Sequence, residues 1–234
     1  MRILHDLLNE VSRCGIPFTH RRIYMDLKSR LKRGRGVGTI TSRRKERLET
    51  ALRQRQFDMT LVVENVWDPH NVAAILRSAD AAGVAEMHLL YYVETLPNVK
   101  RIGKQSSSSA NKWIDFHVHE SVSDCVTRLR DEGYMIYASH LSQSSTSLYD
   151  IDATKKCAFV VGNESRGVSD ELAAAADAVF SIPMMGMVQS LNVSVATAIT
   201  LYEALRQRLA AGMYEKSRLA GEELATLLGD WSRR

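Results

Sequence analysis

Beyond residue 60 the chain alternates short apolar runs with longer stretches in which apolar positions recur every three to four residues. The short runs read as strands: TLVVENV (60–66), EMHLLYYV (86–93), YMIYAS (134–139), CAFVVG (157–162) and AVFSIP (178–183). The longer stretches read as helices. VAAILRSADAAG ends on Gly83, VSDCVTRLRDEG on Gly133, SDELAAAA starts after the cap residue Ser169, and VSVATAITLYEALRQRLAAG closes the pattern. Asn71, just after the helix-breaking Asp-Pro-His, is the expected N-cap of the first of these helices. Strands alternating with helices in this way predict a parallel sheet covered by helices on both faces, an α/β fold. No internal repeat is present.

An α/β sheet binds ligands at the carboxyl ends of its strands, so the loops there carry the candidate chemistry. ENVWDPHNVAAI, after the first strand, has no glycine, which argues against a dinucleotide-binding turn, and no phosphate-cradling Gly-x-x-x-x-Gly-Lys or Gly-x-Ser-x-Gly elbow occurs. The glycine-bearing polar loops come late, at GNESRG (162–167) and PMMGMVQSLN (183–192), and a cofactor is expected there. Gln189, Ser190 and Asn192 stand where the second loop meets the last helix. Ser190 or Asn192 caps that helix, takes part in a site at its N-terminus, or does both.

Charge is unevenly spread. The formal net charge is +4, but residues 1–56 hold fifteen Lys and Arg against five Asp and Glu, and the remainder is net negative. KSRLKRGRGVGTITSRRKERLETALRQRQ (28–56) is either a phosphate-gripping arm or a solvated helix beside a linker marked by Gly34, Gly36 and Gly38. Residues 1–40 are therefore expected to be a basic extension and linker, and 41–234 the main domain with a helical C-terminal tail. The N-terminal stretch lacks an uninterrupted apolar core for a signal peptide, and no apolar run reaches membrane-spanning length, so a cytoplasmic location without membrane contact is expected. Cys14, Cys125 and Cys157 are isolated and read as buried or incidental thiols. His117 and His119 alternate along WIDFHVHE and share a strand face, but with no obvious carboxylate ligands beside them no metal is expected.

Three segments, DPHNVAAILRSADAAGV, VVGNESRGVSDEL and IPMMGMVQSLNVSVATAITLYEALRQR, resemble the three motifs of the SpoU/TrmH family of SPOUT methyltransferases, with similarity running from about Thr41 to the C-terminus. The resemblance implies a six-stranded parallel sheet with a C-terminal deep trefoil knot, S-adenosyl-L-methionine as cofactor, and a homodimer. It is nearest to the tRNA-modifying members, implying 2'-O-methylation of a D-loop guanosine (Gm18). A ribosomal-RNA ribose methyltransferase and a non-catalytic RNA-binding scaffold are the alternatives. By position in the motifs, Asn71, Arg77, Glu164, Ser190 and Asn192 are the catalytic candidates. Ser139, Gly162, Ile182, Gly186 and Leu191 are the cofactor-binding candidates, with Gly186 expected to let backbone approach the ligand. Arg43, Arg44, Lys45 and Arg47 are the first choice for RNA phosphates, and the Ser-rich QSSSSANKW (105–113) is either an RNA-facing loop or a plain connection.

Arg77 sits in an otherwise small and apolar run, where a surface ion pair is the ordinary alternative. As a general base it would be costly: an arginine side chain releases its proton only far above neutral pH, and neutralising one at pH 7 takes about 7.5–9 kcal/mol. A charged arginine that stabilises a developing alkoxide avoids that cost.

Overall fold

The computed structural model describes residues 40–98, 110–143 and 145–234. Cys14, the linker glycines and most of the Ser-rich run lie outside the described residues.

In chain order the elements are helix α1 (Ser42–Arg53), β1 (Met59–Glu64), α2 (Pro69–Ala81), β2 (Glu86–Leu90), β3 (Asp115–His119), α3 (Val122–Asp131), β4 (Met135–Ser139), β5 (Thr146–Ser147), β6 (Cys157–Val161), α4 (Asp170–Ala175), β7 (Ala178–Ser181), α5 (Val193–Ala210) and α6 (Gly221–Trp231). The strands form one sheet in the order β3-β2-β1-β6-β4-β7-β5, with every pairing parallel. It has seven strands rather than six. The addition is the two-residue β5 at the edge beside β7, too short to leave a periodic trace in the sequence.

All residues of the neighbouring strands β1 and β6 are buried, as expected where helices cover both faces of a parallel sheet. On one face Met59, Leu61, Val63 and Phe159 pack with Ile75 and Leu76 of α2 and Leu201 and Ala204 of α5. On the other, Val62, Ile136 and Val160 pack with Val126 and Leu129 of α3 and Leu172 of α4. Helix α1 docks through Leu48 and Leu52 onto Leu224, Leu227 and Trp231 of α6, so the segment around 42–53 is an anchored helix and not a free arm.

The C-terminal end of α5 is held by Arg208, whose buried guanidinium donates to the carbonyls of Ala153 (2.8 Å) and Lys155 (2.8 Å) and pairs with Asp58 at the start of β1. A buried charge needs such full pairing to be tolerated.

Two turns depart from expectation. Asp68, not Asn71, caps α2: its side chain accepts from the His70 N–H (2.8 Å), with Pro69 next in line. Asn71 falls inside the first turn, which frees its amide. The turn after β1 is made by Asn65, at φ 49°. Asparagine tolerates this left-handed conformation better than most side chains, and here Asn65 Oδ1 also accepts from the N–H groups of Tyr92, Val93 and Glu94.

Candidate active site

Because all strands run the same way, the carboxyl ends of β6, β4 and β7 meet at one edge of the molecule. A cleft of about 590 Å³ opens there, within the range of small-molecule and cofactor sites. Its lining includes Ser139 and His140 after β4, Gly162 and Glu164 after β6, Ile182 after β7, and Gln189, Ser190, Leu191 and Asn192 before α5. Apolar Leu141, Phe180, Ile182 and Met184 alternate with these polar groups, a mixture suited to a flat ring with polar edges.

The 162–167 turn is closed by reciprocal backbone bonds between Asn163 and Gly167 (3.0 and 2.8 Å), and Gly167 takes a positive φ of 71°. Gly162 has no alternative, since a Cβ there would collide with the Gly167 backbone. Asn163 is buried and structural: its amide donates to the Asn65 carbonyl (2.8 Å), and its oxygen accepts from the N–H of Ser165 and Arg166. Arg166 lines the cleft and pairs with Glu94 across the mouth at 2.6 Å.

Glu164 joins the loops. Its carboxylate accepts from the backbone N–H of Trp67 (3.0 Å) and Asp68 (3.1 Å) and from the Asn71 amide (2.9 Å). Partial burial pushes its pKa upward, but these hydrogen bonds outweigh burial and hold it below the ordinary carboxylate value. Asn71 Oδ1 in turn accepts from the Asn192 amide at 3.0 Å. Asn192 also caps α5, its oxygen accepting from Ser194 N (2.8 Å) and Ser194 Oγ (2.6 Å), so capping and site roles coincide in one side chain. The result is an unbroken relay, Glu164 to Asn71 to Asn192, that ties the start of α2, the β6 loop and the start of α5.

Of the other sequence candidates, Ser139, Gly162, Ile182, Ser190 and Leu191 stand around the cleft, whereas Gly186 and Arg77 do not line it. A Cβ on Gly186 would meet nothing, so no close backbone approach is visible there. Arg77 is exposed on α2, two turns beyond Asn71, with no hydrogen bond or ion pair to the described residues. Arg43, Arg44, Lys45 and Arg47 are all exposed in the first turns of α1 and lack ion pairs among the described residues. Cations are unfavourable at a helix N-terminus, so local helix stability does not account for the cluster. At the far end of the basic stretch, Arg53 pairs with Glu49 on the exposed face of α1, whereas Arg55 is buried against Asp80 and the Val84 carbonyl, which removes it from any phosphate-binding set. Sequence reading missed Asn65 and its partner segment; an asparagine directly after a buried strand was the available signal.

A parallel sheet flanked by helices is the fold of the SpoU-type methyltransferases, and this chain shares it. Residues 58–202 match the SpoU rRNA Methylase family, and the chain belongs to it. It is 42% identical over 194 residues to the tRNA (guanosine(18)-2'-O)-methyltransferase of Thermus thermophilus, covering 83% of this chain and 98% of that one. The crystal structure of an A. aeolicus TrmH/SpoU tRNA modifying enzyme superposes with a TM-score of 0.74 at 37% identity, over 82% of this chain and 95% of that one. An AdoMet-bound rRNA methyltransferase from Sinorhizobium meliloti superposes at 0.59 and 30% identity, over 68% of this chain and 59% of that one.

Proposed function

We propose that this protein is a tRNA methyltransferase that modifies the ribose 2'-hydroxyl of guanosine 18 in the D-loop. The observation that carries the reading is the Glu164–Asn71–Asn192 relay at the mouth of the cleft, in a chain 42% identical to a tRNA (guanosine(18)-2'-O)-methyltransferase over most of its length.

S-adenosyl-L-methionine fits the cleft and supplies the methyl group when bound. Backbone at Ile182 and Leu191 would hold its adenosine, with Ser139 and Gly162 on the neighbouring strand ends. The relay fixes where the start of α2 stands relative to the cleft, the alignment that a displacement reaction requires. Ser190, unencumbered at the cleft wall, is placed to hydrogen-bond the incoming ribose or phosphate. The Arg77 guanidinium would stabilise the 2'-oxygen as its proton passes to water, a role that needs no arginine base.

Arg77 lies outside the cleft of its own chain, and a homodimer is the arrangement that completes the site. Val195, Tyr202 and Leu209 are exposed at seven-residue intervals on α5, and α2, packed on the same sheet face, exposes Ala74, Arg77 and Ala81. This is an apolar, small-residue surface of the kind that pairs helices between subunits. Threading of the C-terminal segment as a deep trefoil knot is part of the same reading. Its support is the insertion of β6 between β1 and β4 and the return of 182–192 to the ends of those strands. Arg43, Arg44, Lys45 and Arg47 would contact tRNA phosphates.

The test is incubation of purified protein with labelled methyl donor and separate tRNA and ribosomal-RNA pools, followed by mapping of the methylated nucleotide. Label at guanosine 18 of tRNA is the expected result. Label confined to ribosomal RNA, or none in either pool, overturns the reading.

A further inference from the structure

On the sheet face away from α2 and α5, the edge strands carry an unusual row of side chains. The β2–β3 register pairs His88 with His117 and Leu90 with His119, so Glu86 and His88 of β2 and His117 and His119 of β3 all point toward α3. The Glu86 carboxylate takes up His117 (2.9 Å) and the Tyr134 hydroxyl (3.0 Å), while Arg128 reaches His117. His88, His119 and Cys125 are left facing one another, all buried, with one donor atom from each lying within 4.8 Å of the others.

The hydrogen bonding of this trio is incomplete. Asp124 carboxylate receives His119 Nδ1–H at 2.6 Å, which leaves His119 Nε2 to meet His88 Nδ1 at 2.9 Å. Whichever of these two nitrogens carries the shared proton, His88 Nε2 remains buried with no partner. Buried nitrogen without a partner is disfavoured unless something else binds there.

We propose that His88, His119 and Cys125 form a binding site for a zinc-type divalent cation. Two imidazoles and a thiolate are a ligand set that borderline metals prefer, and tetrahedral donors about 2.0–2.3 Å from an ion stand roughly 3.3–3.8 Å apart, a spacing this trio reaches with small shifts. Asp124 holds His119 by its second ring nitrogen, the usual outer support of a metal-bound histidine. On binding, His119 Nε2 gives up its hydrogen bond to His88, whose Nδ1 keeps the proton while its unpartnered Nε2 turns to the ion; the Cys125 S–H bond breaks, its proton leaves to solvent and a sulfur–metal bond forms. The thiolate and Asp124 together balance the dication. Asp124 is 66% exposed, so the site lies one side chain below the surface. The ion would tie edge strand β3 and its neighbour β2 to α3, on the opposite side of β1 from the methyl-transfer cleft, so its role is structural.

The test uses the full chain with Cys14→Ser and Cys157→Ala, which leaves Cys125 as the sole thiol among three cysteines. After chelator treatment it is titrated with Co²⁺ alone, then with Zn²⁺. Expected are one ion per chain, ligand-field bands of tetrahedral cobalt, a near-ultraviolet thiolate-to-cobalt band, and a melting temperature raised by about 4 °C or more by Zn²⁺. X-ray absorption of the zinc form is expected to show one sulfur and at least two nitrogen neighbours. His119→Gln should weaken zinc binding at least a hundredfold while an untouched cleft keeps its cofactor affinity. A folded protein with no thiolate band and no sulfur neighbour overturns the proposal, as does binding unchanged in His119→Gln.

Discussion

Glu164 accepts hydrogen bonds from two backbone N–H groups and one side-chain amide, and each favours its ionised form. Replacing it by Gln turns one acceptor oxygen into an NH₂ that faces a donor. Leaving such a partner unpaired costs about 1–3 kcal/mol, so Glu164→Gln is expected to lower turnover by roughly ten- to a hundredfold, read in single-turnover methylation. The folded pKa lies below the unfolded value, so the Glu164 contribution is complete above the ordinary carboxylate value of 4.5 and is lost as pH falls through the folded value. Between pH 7 and 5, cofactor affinity measured by calorimetry should therefore show no titration from this group. At Arg77 the prediction separates binding from chemistry. Arg77→Lys keeps the charge but loses the planar fork, so cofactor affinity should stay within twofold while turnover drops about a hundredfold or more. Near-native turnover in this variant would remove Arg77 from the reaction.

Helix ends carry the site, because the relay draws Asn71 and Asn192 from the starts of α2 and α5. Asn192 caps α5 and grips Asn71 with the other end of the same amide. Losing the cap alone costs about 1 kcal/mol, so Asn192→Ala should lower the melting temperature by a few degrees. The fall in turnover should be larger than that stability loss accounts for, because the relay is cut as well. Helix α1 presents its cations where its own dipole disfavours them, and the role proposed for them is contact with tRNA phosphates. Changing Arg43, Arg44, Lys45 and Arg47 together to Gln should weaken tRNA binding and flatten its dependence on log salt by about one unit for each phosphate no longer neutralised, with cofactor affinity unchanged. An unaltered salt slope would exclude the cluster from the RNA interface.

At the scale of the whole molecule, the proposed pairing of subunits through the apolar stripe on α5 is what would bring Arg77 to a cleft. Tyr202→Arg, on an exposed position, leaves the core of one chain intact and places a charge in the proposed subunit contact. Sedimentation should show monomers, and turnover should fall with dimer content; a fully active monomer would show that one chain suffices. The α/β alternation, the limits of most strands and helices to within a few residues, the late polar loops and the choice of Ser190 or Asn192 as the α5 cap were legible in the sequence, because periodicity and capping chemistry act over neighbouring residues; the two-residue β5 and the settling of the cap on Asn192 were not. Asp68 displaced Asn71 as cap because both fit the local rule, and only the folded chain, in which Asn71 bonds Glu164, separates them. The relay spans 93 and 121 positions of chain, and the carboxylates beside His117 and His119 come from β2 and α3. Strand order brought those distant segments together, and hydrophobic spacing along a single strand carries no information about which strand lies beside it.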